Sequence, residues 1–367
     1  MQNWLFRLLT ISSVSTVFLT SCSDQSNIMN NSDDDKKFKV GLITNATGID
    51  DKSFNESIWS AIKKYGMKHD WKEKKNYQFK NATSIKEKEK FLTQYSKEND
   101  LTIGAGLPFK EPLSKVSNQN KKADFAIIDG IVEKPNVVSI TYHEEQAAFL
   151  AGVAAAMSTK SLKIGFIGGP KNEITEKFDY GFQAGIKSVD PKIKVKSKYA
   201  TTFNDPNEGS KLAKSLYDGG ADIIFQAAGK TGLGVFSVAK QLKKSGKNVW
   251  VIGVDRDQYK EGLPENVTLT SAIKRIDKGV KEVLNKKRKG NFQGGRILRL
   301  GIKEGGVGLP KENKNFNKDI NKQIDLYKSN IRSGNIEVPK TKVEFDKFTP
   351  KEPKKEEKKK KKIKMTK

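Results

Sequence analysis

A chain of 367 residues with a net charge of +26 has room for two domains of ordinary size, and a 35% hydrophobic content suffices to build their cores. A single cysteine excludes an internal disulfide, and two histidines with no metal-ligand spacing argue against structural zinc and against Cys or His nucleophile chemistry. Eleven lysines and three glutamates between Lys347 and Lys367 concentrate part of the charge in the tail; the rest reads as a lysine-rich solvated surface, with no zinc spacing and no aromatic-rich basic strand to indicate a specific nucleic-acid partner.

Arg7 gives a weakly positive start, and Leu8–Thr20 is apolar and hydroxylated but short for a membrane span. It ends in Leu19-Thr20-Ser21-Cys22, which resembles the lipobox of bacterial lipoproteins. The resemblance implies a signal peptide over 1–22, cleavage before Cys22, lipid on that thiol and the new amine, and a place on the extracytoplasmic face of the cell membrane. Residues 23–37, rich in Asn, Asp and Ser, read as a flexible tether.

From residue 38 short apolar runs alternate with segments of helical periodicity. The first strand is expected over Phe38–Thr44 and a helix over Ser53–Tyr65, with Ile58, Trp59 and Ile62 on one face. Strands follow at Tyr77–Asn81, Leu101–Ala105, Asp124–Asp129 and Val137–Thr141, with helices at Ile85–Lys97 and Lys110–Asn118. The pattern then restarts with a strongly apolar helix, Glu145–Met157. Strands at Lys163–Gly168, Lys194–Tyr199, Ile223–Ala227, Trp250–Val254 and Leu269–Ile273 alternate with helices at Lys177–Val189, Asn207–Tyr217 and Gly232–Ser245. A helix at Asp277–Lys286, a strand at Arg296–Leu300 and a helix at Asn317–Ser333 complete the body; residues 346–367 read as a lysine-rich disordered tail.

Such alternation predicts an α/β protein built of parallel βαβ units in two similar lobes. Ligands bind at the carboxyl ends of strands in open parallel sheets, and polar or aromatic residues follow those ends here. They are Asn45, Asp50, Asp51 and Asn55 after the first strand, Asp129 after the fourth, Phe203 with Asn204 and Asp205, Gly229 with Lys230, then Asp255 and Lys274. Singly, each has a plainer reading: Asp51 or Ser53 as a helix cap, Gly232 as a turn. Phe54 fits either a ligand-facing ring or the core of the first helix.

The segment Gly48-Ile49-Asp50-Asp51-Lys52-Ser53-Phe54-Asn55 resembles the N-terminal signature of the basic membrane protein family of substrate-binding lipoproteins. EEQAAFLAG from residue 144, KIGFIGG from 163, FDYGFQAG from 178, FQAAGKTGLGVF from 225, VIGVDRDQ from 251 and LTSAIKR from 269 agree, in order, over roughly 38–310. The resemblance implies a two-lobed fold like the type I periplasmic binding proteins, with three crossing strands and a hinge cleft. It divides the chain into a first lobe, 38–141 plus about 274–290, and a second, 142–273 plus about 291–345. It also implies a purine nucleoside ligand, an ABC transporter permease as partner, no cofactor, no catalysis and a monomer. By resemblance, Asp129 meets the polar edge of the base, Phe203 stacks on it, Gly229 lets backbone approach, and Asp255 and Lys274 hold the ribose with help from Asn55; Asn45, Asp50 and Phe54 are subsidiary candidates. A sugar or another small solute, taken up or sensed by the same fold, and a surface interaction protein are the competing readings.

Overall fold

The computed structural model describes residues 37–354, so the expected signal peptide, Cys22, nearly all of the expected tether and the chain from 355 lie outside the described residues. The amino-terminal half of the body runs β1 (Val40–Thr44), α1 (Phe54–Met67), β2 (Tyr77–Asn81), α2 (Ile85–Glu98), β3 (Leu101–Ala105), α3 (Lys110–Gln119), β4 (Phe125–Ile128) and β5 (Val137–Tyr142). Next come α4 (Glu144–Ser158), β6 (Lys163–Gly168), α5 (Glu173–Val189), β7 (Lys194–Tyr199), α6 (Pro206–Asp218), β8 (Ile223–Ala227), α7 (Gly232–Lys244), β9 (Trp250–Asp255) and β10 (Thr268–Lys274). The chain ends with α8 (Ile276–Arg288), β11 (Ile297–Leu300), β12 (Val307–Gly308), α9 (Lys318–Arg332) and α10 (Lys342–Lys347).

Two six-stranded sheets result, in the orders β11-β5-β4-β3-β1-β2 and β12-β10-β9-β8-β6-β7. Every pairing is parallel except β12 against β10. The central strands are buried on both faces, as the runs VGLIT, LTIGA and IIFQA require. Helix α4 is apolar nearly all round and accordingly lies inside the second lobe, against α5, α9 and β10. Local sequence sets the helix starts: Ser84 and Asn172 form capping boxes, and Asp205 caps α6 ahead of Pro206.

The backbone passes between the sheets three times, from β5 into α4, from β10 into α8, and from β11 into β12. Here the structure departs from the expected boundaries. Strand β11, read as part of the second lobe, pairs with β5 in the first sheet, from Ile297 opposite Ser139 to Leu300 opposite Tyr142. The tail is also more ordered than its composition suggests. Phe345 stacks on Tyr180, Lys187 Nζ donates to the Phe348 carbonyl at 2.8 Å, and Asn330 holds Lys354 through two backbone hydrogen bonds. The residues from 346 to 354 therefore lie against the second lobe. Among the described residues no helix is long and apolar enough to cross a membrane.

Candidate functional site

A cavity of about 460 Å³ opens between the carboxyl ends of the two sheets, within the size range of small-ligand sites. Asn45, Phe54, Asn55, Asp129, Phe203, Gly229, Asp255 and Lys274 all line it. Asp50 does not: it is exposed, and its neighbour Asp51 turns inward instead. The turn from Gly48 to Lys52, with positive φ at both ends, decides which of the two carboxylates faces the cavity.

Asp129 and Asp255 close β4 and β9, and both have left-handed backbone, φ +59° and +64°. Aspartate tolerates that region better than most side chains, and the conformation carries a cost on the order of 1–3 kcal/mol that is concentrated at functional sites. Gly229, after β8, has φ +56°. Gly169 meets the ring of Phe203 so closely that a Cβ there would lie 2.0 Å from it. The ring is thus seated on the backbone at the end of β6.

Lys274 ends β10 at the second crossing and is 4% exposed. Its ammonium donates to Asp129 Oδ2, lies 3.4 Å from Asp255 Oδ1 and 3.8 Å from Glu144 Oε1, and sits 4.8 Å from the centre of the Phe54 ring. Burial pushes the lysine pKa down, but Asp129, Asp255 and Glu144 outweigh it and hold the group above its ordinary value. Burial pushes the Asp129 carboxyl up, against the pull of Lys274. Glu144 is pushed up to about 7, chiefly by burial, with Lys177 and Lys274 opposing and Asp129 and Glu145 reinforcing. Lys274, with Lys177 on Glu144 beyond it, leaves a surplus of carboxylate acceptors, and Asp129 Oδ1 is buried with no hydrogen-bond partner among the described residues.

A second polar group comes from the loop after β1. Asn55 Nδ2 donates to Asn45 Oδ1 at 3.0 Å and to Thr47 Oγ1 at 2.6 Å, leaving Asn55 Oδ1 buried and unpaired among the described residues. Asp51 accepts from the backbone N–H groups of Ser53, Asn55 and Glu56, so it caps α1 as well as lining the cavity. Burial raises its pKa from 3.8 to about 6 against those three hydrogen bonds.

Phe54 is partly buried; its ring lines the cavity against Lys274 and also packs against the hydrophobic core, so both alternatives describe part of its position. Sequence reasoning missed Thr47, the turn Gly106-Leu107-Pro108 after β3, and Pro170, Asn172 and Phe178 beyond β6, all of which line the cavity. The Gly106 and Pro170 turns follow strand ends like the others and were open to the same rule. Three contacts join the lobes beside the cavity: Ser53 Oγ donates to Asp255 Oδ2, Gln258 Nε2 to the Lys52 carbonyl at 2.9 Å, and Arg256 to Glu56.

The family profile for Bmp, described as ABC transporter substrate-binding protein PnrA-like, matches residues 37–342. The ABC transporter nucleoside-binding protein BmpA of Lactococcus lactis is 36% identical over 316 residues, which span 82% of this chain and 89% of the relative. The CD4+ T-cell-stimulating antigen of Listeria innocua is 38% identical over 339 residues, spanning 89% and 95%. Among solved structures, an ABC transporter solute-binding protein from Aeropyrum pernix superposes with a TM-score of 0.75 at 23% identity, covering 84% of this chain and 96% of its own.

Proposed function

The chain belongs to the Bmp family of PnrA-like ABC transporter substrate-binding proteins, and on that premise we propose that it captures a purine nucleoside in the cavity between its sheets and presents it to an importer's permease. The observation that carries the reading is the combination of aromatic rings and a charged cluster on the walls of one cavity. Phe54 and Phe203 supply rings from opposite lobes, suited to a flat heteroaromatic base. Asp129, Asp255 and Lys274 form a charged cluster that suits the vicinal hydroxyls of a ribose, since carboxylates accept charge-assisted hydrogen bonds.

This arrangement alters one expected role. Asp129 is bound to Lys274 beside Asp255, so we assign it to the ribose end and not to the base edge. The unpaired Asn55 Oδ1, near Asn45 and Thr47, is the acceptor better suited to N–H groups of a purine. Sugars alone would leave the two rings without a partner, and the relative from Lactococcus lactis is described as nucleoside-binding. The ligand leaves unchanged, held and released by hinge motion at the three crossings. The protein acts as a monomer, tethered through lipid on Cys22 to the extracytoplasmic face of the membrane.

Calorimetric titration of the mature chain with nucleosides, free bases, ribose and common sugars tests the reading. Purine nucleosides are expected to bind while ribose and sugars stay silent. Binding of a sugar with silence across the nucleosides would keep the transporter role and replace the ligand.

A further inference from the structure

Helix α8 runs from the cavity, where Lys274 precedes it by two residues, down the side of the first lobe. Its outer face carries Lys278, Lys281 and Lys286, followed by Lys289 just past its end, with Arg299 on the flanking edge strand β11 and Arg296 just before that strand. The acids near this face are already engaged. Glu282 pairs with Arg296 at 3.2 Å, Asp277 with Arg275 at 2.8 Å, Asp124 with Lys287 at 2.6 Å, and Glu304 accepts from the Gly301 N–H at 2.9 Å. Lys281, Lys286, Lys289 and Arg299 hold no ion pair among the described residues; Lys286 is partly buried and the other three are exposed.

A line of side chains joins this face to the point where the body begins. Asn285, between Lys281 and Lys289, accepts from Tyr65 Oη at 2.8 Å, and Arg288 Nε donates to the same hydroxyl at 3.1 Å. The Tyr65 ring lies 5.3 Å from that of Trp71, which stacks at 5.2 Å on Phe38. Fifteen residues separate Phe38 from Cys22, so a lipid on that cysteine holds this end of the molecule within about 50 Å of the bilayer even at full extension.

We propose that the lysine face of α8 docks on anionic lipid headgroups and so orients the tethered protein against its membrane. Charge complementarity carries the assignment: a row of unpaired cations at the tethered end meets a surface of negative potential, attractive within a Debye length of about 8–10 Å. The proposal takes from the functional reading only the anchor at Cys22, and it stands whether or not the ligand is a nucleoside. With the face seated, α8 lies along the membrane side, and Lys274 on the cavity wall stands two residues before that helix.

The test is cosedimentation of the full chain carrying Cys22→Ser with vesicles of phosphatidylcholine alone or with one-third phosphatidylglycerol, at low and at physiological salt. The same measurement is made on Lys281→Glu/Lys286→Glu/Lys289→Glu, with and without residues 355–367, since the lysine run there is a second source of charge. Thermal unfolding confirms that these surface changes leave the fold intact. The expected result is preference for the phosphatidylglycerol vesicles that falls at least tenfold on charge reversal, in both tail backgrounds. Equal binding by parent and charge-reversed chains overturns the proposal and assigns any attraction to the tail. Binding of a duplex oligonucleotide through the same lysines, with vesicles ignored, also overturns it.

Discussion

Removing Asp129 leaves Lys274 buried beside a weakened set of partners, and breaking one side of such a pair costs about 3–5 kcal/mol. Asp129→Ala is therefore expected to lower both the stability of the body and nucleoside affinity; calorimetry and urea unfolding on the same sample check both. Phe203→Ala should spare stability, because the ring is only half-buried. Base–aromatic stacking contributes about 1–3 kcal/mol, so the dissociation constant should rise roughly 5- to 150-fold, and an unchanged constant removes Phe203 from the site. Asp51 gives a pH signature. Its folded pKa of about 6 against 3.8 makes ionisation in the folded state cost roughly 3 kcal/mol. The stability this represents is fully present below about pH 4 and is lost as pH rises through about 6. Asp51→Asn should lack that loss, so its urea midpoint should gain on the parent's between pH 4 and 7; parallel curves would contradict the assignment. At this scale much was legible. Asp129, Asp255 and Lys274 follow apolar runs that could only be central strands, and the parallel-sheet rule placed them. Asp50 was chosen with Asp51 because spacing along a loop does not reveal which carboxylate a left-handed turn directs inward.

The loop leading into α1 and the turn after β9 act as a pair. Each contributes to the cavity, through Asn55 and Asp255, and each reaches across to the opposite lobe, through Glu56 to Arg256 and Ser53 to Asp255. A half-exposed ion pair contributes little, about 0.2–1 kcal/mol, so Arg256→Ala should accelerate ligand release by about 2- to 5-fold in stopped-flow displacement while leaving unfolding nearly unchanged. The long elements were readable from their period: 14-residue α1 and α2 and 15-residue α4 each appear within a few residues of expectation. The two-residue β12 was not, because two residues carry no period. The lobe of β11 was not either; alternation identifies a strand but says nothing about which sheet will receive it.

For the whole molecule the family and the α/β two-sheet architecture were both legible, because the signature segments recur in one order along the chain. The docked stretch from 346 to 354 was not, since its lysine content hides two phenylalanine-centred contacts at Phe345 and Phe348. The membrane attachment is tested separately. Cys22→Ser should move the protein from the membrane pellet to the soluble fraction of fractionated cells; full retention would mean that another device anchors it.

The route of the backbone bears on the export proposed with the Cys22 anchor. The first sheet is complete only when Leu300 has paired with Tyr142, and β12 follows at Val307. A chain threading a translocation channel from its amino terminus therefore cannot finish its first lobe until some four-fifths of its length has emerged. Early strands wait for a late edge, and the second sheet is complete only once the last crossing has formed. A fragment that stops just short of β11 should accordingly lack a cooperative unfolding transition, although it contains every other strand of that sheet.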